Sequence, residues 1–393
     1  MNLEAAPTMT EPNISKPKIS KFIVSKPRIA IVHDYFIQSG GAERVAEALC
    51  AVYPEAAVFA TVALPDRLTP ELREARVHTS WMQRLPGMLR FYRHYFLFYP
   101  SAVESLKLEN YDVIISSSSG YAKGVRRGRH AVHICYCHTP MRWAWSSASY
   151  LQRRGPIAKA VISTALSHLR NWDSQAAQRP DYYLTNSRSV ADRIKDIYHR
   201  HAEVIPPPVN VNRFAPSTDT EDFYLVLSRL IAYKQIDLAV AACTELGRRL
   251  IVIGEGPELE RLRAMAGPNV KFLGRQPDAV VSDYARRCKA LLFPGEEDFG
   301  IAPLEINAAG RPVIAFRAGG ALETVVEGVS GFFFDEPASA SLAGAILRCE
   351  KQVWDAAAIR AHALRFDERV FAARVRVFVD QVTVSPVFPG ASC

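Results

Sequence analysis

Short apolar runs that end in glycine or polar residues, each followed by a helical stretch, recur along most of the chain. The first, Arg28-Ile-Ala-Ile-Val-His33, enters Ser39-Gly40-Gly41 and a helical segment from Ala42 to Val52. Val58–Val62, Val113–Ser116 and Val132–Tyr136 are further strand candidates, separated by helical or loop-like segments. This alternation predicts mainly parallel strands joined by helices, as in a Rossmann-like domain. Near residue 205 the texture changes: Pro206-Pro-Pro208 and the small polar run at 215–222 predict a linker. The alternation then restarts, with strands expected at Phe223–Ser228, Leu250–Gly254, Val270–Leu273, Ala290–Phe293 and Pro312–Phe316. Helices are expected between them, for example over Asp237–Leu246 and Glu258–Ala266. The expected organisation is a disordered Pro/Ser/Lys-rich tail (1–27), an α/β domain (28–208), a linker (209–222) and a second α/β domain (223–366). A terminal helix (367–382) follows and is expected to pack back on the first domain.

Composition narrows the class. A chain of 393 residues can bury two cores, and 49% hydrophobic with 22% charged residues is an ordinary globular balance. No apolar run approaches the ~18 residues of a membrane span, and residues 1–21 lack the apolar core of a secretory signal. Seven scattered cysteines argue against a disulfide framework and for a reducing cytoplasm. Residues 1–210 hold 27 Lys and Arg against 17 Asp and Glu, whereas the remainder holds 21 against 23. The basic front half suits an anionic partner, either a phosphate-bearing substrate or a membrane surface, or simply maintains solubility.

The segment Phe293-Pro-Gly-Glu-Glu-Asp-Phe-Gly-Ile-Ala-Pro-Leu-Glu-Ile-Asn-Ala308 carries the most chemistry. A strand ends at Phe293, and a helix is expected to start near Ala302, with Pro303 in its first turn. The backbone N–H groups from Phe299 through Gly300, Ile301 and Ala302 would then present a helix N-terminus to an anion such as a diphosphate. Glu305 would face the same cleft, where its carboxylate suits two ribose hydroxyls. Two acids near a helix start are otherwise ordinary dipole partners.

Glu297-Asp-Phe-Gly-Ile-Ala-Pro-Leu-Glu305 resembles the paired-glutamate motif of the family-four retaining glycosyltransferases, which have the GT-B fold: two Rossmann-like domains facing across a cleft. The resemblance implies that Glu305 holds the donor ribose and Glu297 touches the transferred sugar. Ser-Arg229 and Lys234, five residues on, resemble the family's cations at the donor diphosphate, although Gln235 stands where the family usually has glycine. Fixed cations would stabilise a departing nucleoside diphosphate without a metal, and no metal site or cofactor is expected. Gly254 resembles the glycine turn beside the nucleotide, and Gly40 and Gly41 the family's loop over the diphosphate. Both are also plain turn residues.

Tyr136-Cys-His-Thr-Pro-Met-Arg-Trp143 resembles a run found in mannosyltransferase-like members that build O-antigens and exopolysaccharides. There the residue matching His138 touches sugar or diphosphate, and Arg142 and Trp143 become candidates for the acceptor. Cys135 and Cys137, two apart on one face of a strand, read as buried apolar residues rather than zinc ligands. Residues 81–99 hold seven aromatics and three arginines, suiting a membrane interface, a polyprenyl-diphosphate acceptor or a helix packed on the core. No nucleic-acid reader motif is present. The resemblance implies retaining transfer of a hexose, with GDP-mannose as the first donor candidate and UDP-sugars second. The implied acceptor is a saccharide or a polyprenyl-diphosphate-linked saccharide, met at the inner face of the cytoplasmic membrane.

Overall fold

The structure, a computed structural model, describes residues 27–38, 40–145, 156–217 and 219–384. Residues 1–26 of the expected tail, and Ser39, lie outside them. The described residues form two sheets, each all-parallel. The first runs in the order β3-β2-β1-β4-β5-β6-β7, with β1 at Ile29–His33, β2 at Ala57–Ala60, β3 at His78–Thr79, β4 at Val113–Ser118, β5 at Val132–Cys137, β6 at Tyr182–Thr185 and β7 at Glu203–Val204. The second runs β10-β9-β8-β11-β12-β13, with β8 at Tyr224–Leu227, β9 at Leu250–Ile253, β10 at Val270–Gly274, β11 at Ala290–Phe293, β12 at Val313–Phe316 and β13 at Gly331–Phe334.

Strand alternation sends successive side chains to opposite faces. In the first sheet Ile31, Val113, Ile115 and Ile134 join one apolar cluster, while Ala30, Val32 and Ile114 join another on the other face. The second sheet divides Leu225, Ile251 and Leu291 from Tyr224, Val226 and Leu292 in the same way. Both sheets are therefore covered on both faces, as parallel sheets must be. Cys135 and Cys137 share a face, as their spacing requires, and are buried with Tyr183 and Tyr198.

Two crossings join the domains side by side. Val209 N–H donates to Phe366 O at 3.0 Å, and Val209 forms a parallel bridge with Asp367. Val209, Val211 and Phe214 are buried in the second domain's core. The helix Glu368–Val384 lies on the first domain: Phe371, Val375, Phe378 and Val379, a helical stripe, pack with Ile31, Leu49 and Tyr136.

Four strands, β3, β6, β7 and β13, have no counterpart in the sequence-based reading. The charge run Asp219–Asp222 is largely exposed, and its acids pair at the surface, Asp222 with Lys289 at 2.6 Å and Glu221 with Arg287.

Candidate functional site

Each sheet reverses strand order once, between β1 and β4 in the first and between β8 and β11 in the second. Ligands of open parallel sheets bind outside the strands' carboxyl ends at such points. The loops leaving β1, β4, β5, β8 and β11 carry most of the candidate residues, and the two domains meet through them.

Arg44, in the helix Gly41–Val52, donates to Glu305 Oε1 at 2.6 Å across the interface. Glu305 is buried, and Arg213 also approaches it, at 3.7 Å. A Cβ on Gly41 would sit 3.0 Å from Ile301 Cδ1, and one on Gly40 would sit 3.0 Å from Glu43 Oε2. Both glycines thus keep the first domain's loop close-packed. Arg142 and Arg193 both bond Asp298 Oδ1, at 2.5 and 2.6 Å, from the first domain to the second. Lys234 is buried and pairs with Glu297. Thr139, Arg142 and Trp145 face Tyr233, Gln235 and Glu297 across a cavity of about 470 Å³.

The helix Ile301–Ala308 starts from Gly300, whose φ of +88° would strain any other residue. Its first-turn N–H groups, at Ile301 and Ala302, have no intrahelical acceptor. Phe299 is buried against Phe366 and anchors the loop. Behind that loop, a Cβ on Gly320 would lie 2.2 Å from Phe299 Cα, and Gly320 N–H donates to Glu297 O at 2.8 Å. Gly254 sits where a Cβ would lie 1.8 Å from Ser228 O. Its glycine is explained by this close approach of β8 and β9.

Gln235 adopts φ +50°, the left-handed region that glycine enters without cost. The loop shape usual with glycine is therefore kept at some backbone strain. Gln235 Oε1 is buried without a partner in the cavity wall. The Arg229 side chain is exposed and has no partner among the described residues.

His138 follows β5 and is buried. Its Nε2 lies 2.8 Å from Ser117 Oγ, which lies 3.1 Å from His33 Nδ1. His33 Nδ1 is also 3.1 Å from Ser117 O, which can only accept, so His33 Nδ1 carries a hydrogen. Where Ser117 gives its hydroxyl hydrogen to His138 Nε2, neutral His138 carries its own hydrogen on Nδ1. On the far side His33 Nε2 faces Glu43 Oε1 at 3.9 Å. Burial opposes charge on His33, but the Glu43 carboxylate, with Asp34 beyond it, outweighs burial and raises its pKa. Burial, with His33 adding repulsion, pushes His138 down to about 3, so it is a neutral hydrogen-bonding group rather than a cation.

Asp34 was not among the residues singled out from sequence. Its carboxylate accepts from Ser119, Tyr121 and Ala122 N–H at 2.6–2.8 Å and shapes the loop after β4. Trp143 packs into the first domain's aromatic core against Phe96 and Tyr121, and Trp145 faces the cavity instead.

His133, pushed down to about 3 by burial and then by Arg127, Arg179 and Arg200, shares with His138 a consequence for stability. Both bind protons more readily unfolded than folded, so they lower stability as pH falls below the unfolded value of about 6.5. The melting temperature is expected to drop from pH 7 to pH 4. His133→Gln, which keeps a donor for Ser116 Oγ, should flatten that slope in calorimetry at matched ionic strength.

A cleft between two Rossmann-like domains, with cations, a helix N-terminus and a buried carboxylate converging on it, is the GT-B architecture. Residues 39–213 match the family described as Glycosyltransferase Family 4, and residues 210–363 the one described as Glycosyl transferases group 1. The two matches adjoin near residue 210 and between them run through both domains, each over less than half of the chain; across both domains the chain is similar to group 1 and family-four glycosyltransferases. A GDP-mannose-dependent alpha-(1-6)-phosphatidylinositol monomannoside mannosyltransferase of Mycolicibacterium smegmatis is 34% identical over 237 residues, 49% of this chain and 62% of that one. A D-inositol 3-phosphate glycosyltransferase of Acidothermus cellulolyticus is 31% identical over 224 residues, 47% of this chain and 50% of that one. The chain thus spans between 50% and 62% of the length of these curated relatives. Among solved structures, Anabaena Alr3699/HepE in complex with UDP and glucose superposes with a TM-score of 0.67 at 19% identity, over 90% of this chain and 100% of that one. Sucrose-phosphate synthase from Thermosynechococcus elongatus gives 0.69 at 18% identity, over 91% and 100%. At such identities these structures share the fold.

Proposed function

We propose that the protein transfers a hexose, with retention of configuration, from a nucleotide sugar to a saccharide acceptor, and that the donor is GDP-mannose. The observation that carries this reading is the set of ion pairs that line the cleft, Lys234 with Glu297 inside the second domain and the others between the two domains. Arg44 with Glu305, Lys234 with Glu297, and Arg142 and Arg193 with Asp298 are charges waiting for a ligand that is itself charged and hydroxyl-rich. A nucleoside diphosphate would take Lys234 and the N–H groups at Ile301 and Ala302, where negative charge grows as the glycosidic bond breaks. Arg229, free beside them, would join from solvent. Glu305 would turn to the ribose and Glu297 to the sugar. Neutral His138 would donate from Nδ1 to a sugar or phosphate oxygen. In a retaining transfer the acceptor hydroxyl attacks from the leaving-group side, passing its proton to a diphosphate oxygen.

The mannose reading draws on the Cys137-His-Thr-Pro-Met-Arg-Trp143 run and on the name of the Mycolicibacterium relative. That relative's name also supports a lipid-linked acceptor. The test is release of nucleoside diphosphate from a panel of GDP- and UDP-sugars with a bacterial lipid extract. Lipid-dependent GDP release from GDP-mannose, lost in Glu305→Ala and His138→Ala, is expected. Release from a UDP-sugar alone would replace the donor, and donor binding without turnover on any acceptor would sink the transferase reading.

A further inference from the structure

The 81–99 stretch resolves into anchors and an outward face. Met82, Met88 and Tyr99 are buried in the first domain's core. Trp81, Leu89, Phe91, Leu97 and Phe98 are 39–50% exposed, a concentration of large apolar side chains within residues 81–98. Two of them adjoin through their rings, Trp81 and Phe98 at 6.3 Å, and Phe98 also meets Tyr95 at 6.1 Å. Isolated exposed apolar residues need no explanation, but clustered ones mark an interaction surface.

Along the chain, the charge of this stretch has one sign. Between Glu74 and Glu104 there is no acidic residue, while Arg76, Arg84, Arg90 and Arg93 are all present. Arg90 lies over the Phe91 ring at 5.3 Å and Arg93 over Tyr92 at 5.4 Å, so the cations are interleaved with the aromatics. The short helical turns here, Trp81–Arg84, Met88–Phe91 and Tyr92–Tyr95, leave too little continuous helix to bury this face on a neighbouring element. No helix among the described residues is long and apolar enough to cross a membrane.

We propose that this face docks the protein on an anionic lipid bilayer, with Trp81, Phe91, Leu97 and Phe98 entering the headgroup boundary and Arg84, Arg90 and Arg93 meeting lipid phosphates. Aromatic rings with interleaved cations are the chemistry of an interfacial membrane site. A protein partner would need acidic complementarity, and a face this rich in exposed apolar side chains favours lipid. The face is wired to the cleft. Phe96, between the exposed rings, packs edge-on to Trp143 at 5.7 Å, and Trp143 adjoins Arg142. Docking would hold the acceptor side of the cleft near the bilayer. This serves the lipid-linked acceptor of the reading above, but the docking itself does not depend on that reading.

The test is co-sedimentation of the full chain with vesicles of phosphatidylcholine, with and without phosphatidylglycerol, in the absence of donor and acceptor. Binding only to the anionic vesicles, weakened by salt, is expected. The triple variant Arg84→Gln, Arg90→Gln, Arg93→Gln should bind roughly 100-fold more weakly, from about fivefold per arginine. Phe91→Ser with Phe98→Ser should remove the salt-resistant remainder. These side chains are exposed, so unchanged melting is the control for folding. Equal binding to neutral vesicles, no binding by the wild type, or unaltered binding by both variants would overturn the proposal. So would self-association in sedimentation velocity that Phe91→Ser with Phe98→Ser abolishes, which would make the face a contact between copies. Because nothing is turned over, failure here leaves the transferase reading standing, and the reverse also holds.

Discussion

Lys234→Ala is expected to lower kcat/KM for the donor by about 10³, the upper range for losing one preorganised group at a developing charge. Lys234 ends the short turn Ala232–Lys234 after β8, and its ammonium is buried against Glu297. Held in place by Glu297, it would meet a diphosphate once that carboxylate turns to the sugar, which is why its contribution should fall on the chemical step. Steady-state kinetics should show kcat falling more than KM rises. The fold should tolerate the change. The Glu297 side chain keeps 21% of its surface exposed, so water can take up the carboxylate that the lysine leaves. Lys234→Arg should recover little, because a planar fork does not replace a compact ammonium in a closed site. Unchanged kcat/KM would shift the phosphate role to Arg229, the exposed cation nearby.

How much of this site is readable without coordinates depends on sequence separation. Glu297, Gly300, Ile301 and Glu305 are within nine positions, and the chemistry of a helix N-terminus is local, so the segment and its glycine are legible. The helix does begin within a residue of the expected start, and Gly300 before it takes a positive φ. Lys234 and Glu297 could be named singly, yet nothing local says that they pair. Arg44 reaches Glu305 over 261 positions, Arg142 reaches Asp298 over 156 and Arg193 over 105. Asp298 sits inside the motif and was passed over because its partners lie in the other domain. Trp143 and Trp145 lie in one short turn, and composition does not say which ring turns inward. β3 and β7, two residues each, are too short to show any alternation.

The buried ion pair behind the Arg142 loop should matter for stability as much as Lys234 does for turnover. Asp173→Asn is expected to cost about 3–5 kcal/mol, the usual loss when one partner of a buried pair is removed. Lys123 Nζ lies 2.5 Å from Asp173 Oδ1, with both side chains essentially inaccessible; the contact is ionic rather than directed as a hydrogen bond. Burial works against the lysine's charge, but the nearby Asp173 carboxylate outweighs it, so Lys123 stays protonated. Removing the carboxylate's charge leaves that ammonium in the core with Gly120 O, the Tyr198 ring and the more distant Asp34 carboxylate. Lys123→Met added to Asp173→Asn should therefore recover most of the loss, and a double-mutant cycle in denaturant would measure the coupling. The damage should also reach the cleft. Asp173 Oδ2 accepts from Trp145 Nε1 at 2.7 Å and from Tyr198 OH at 2.8 Å, and Tyr198 OH in turn accepts from Met141 N–H at 3.3 Å. These bonds hold the turn that carries Arg142 against Asp298. In the double variant, with the fold restored and an amide in place of the carboxylate, acceptor KM should stay raised while donor affinity returns. If both recovered fully, the carboxylate would only be neutralising the lysine, and the position of Arg142 would have to come from Asp298 and Tyr233 alone.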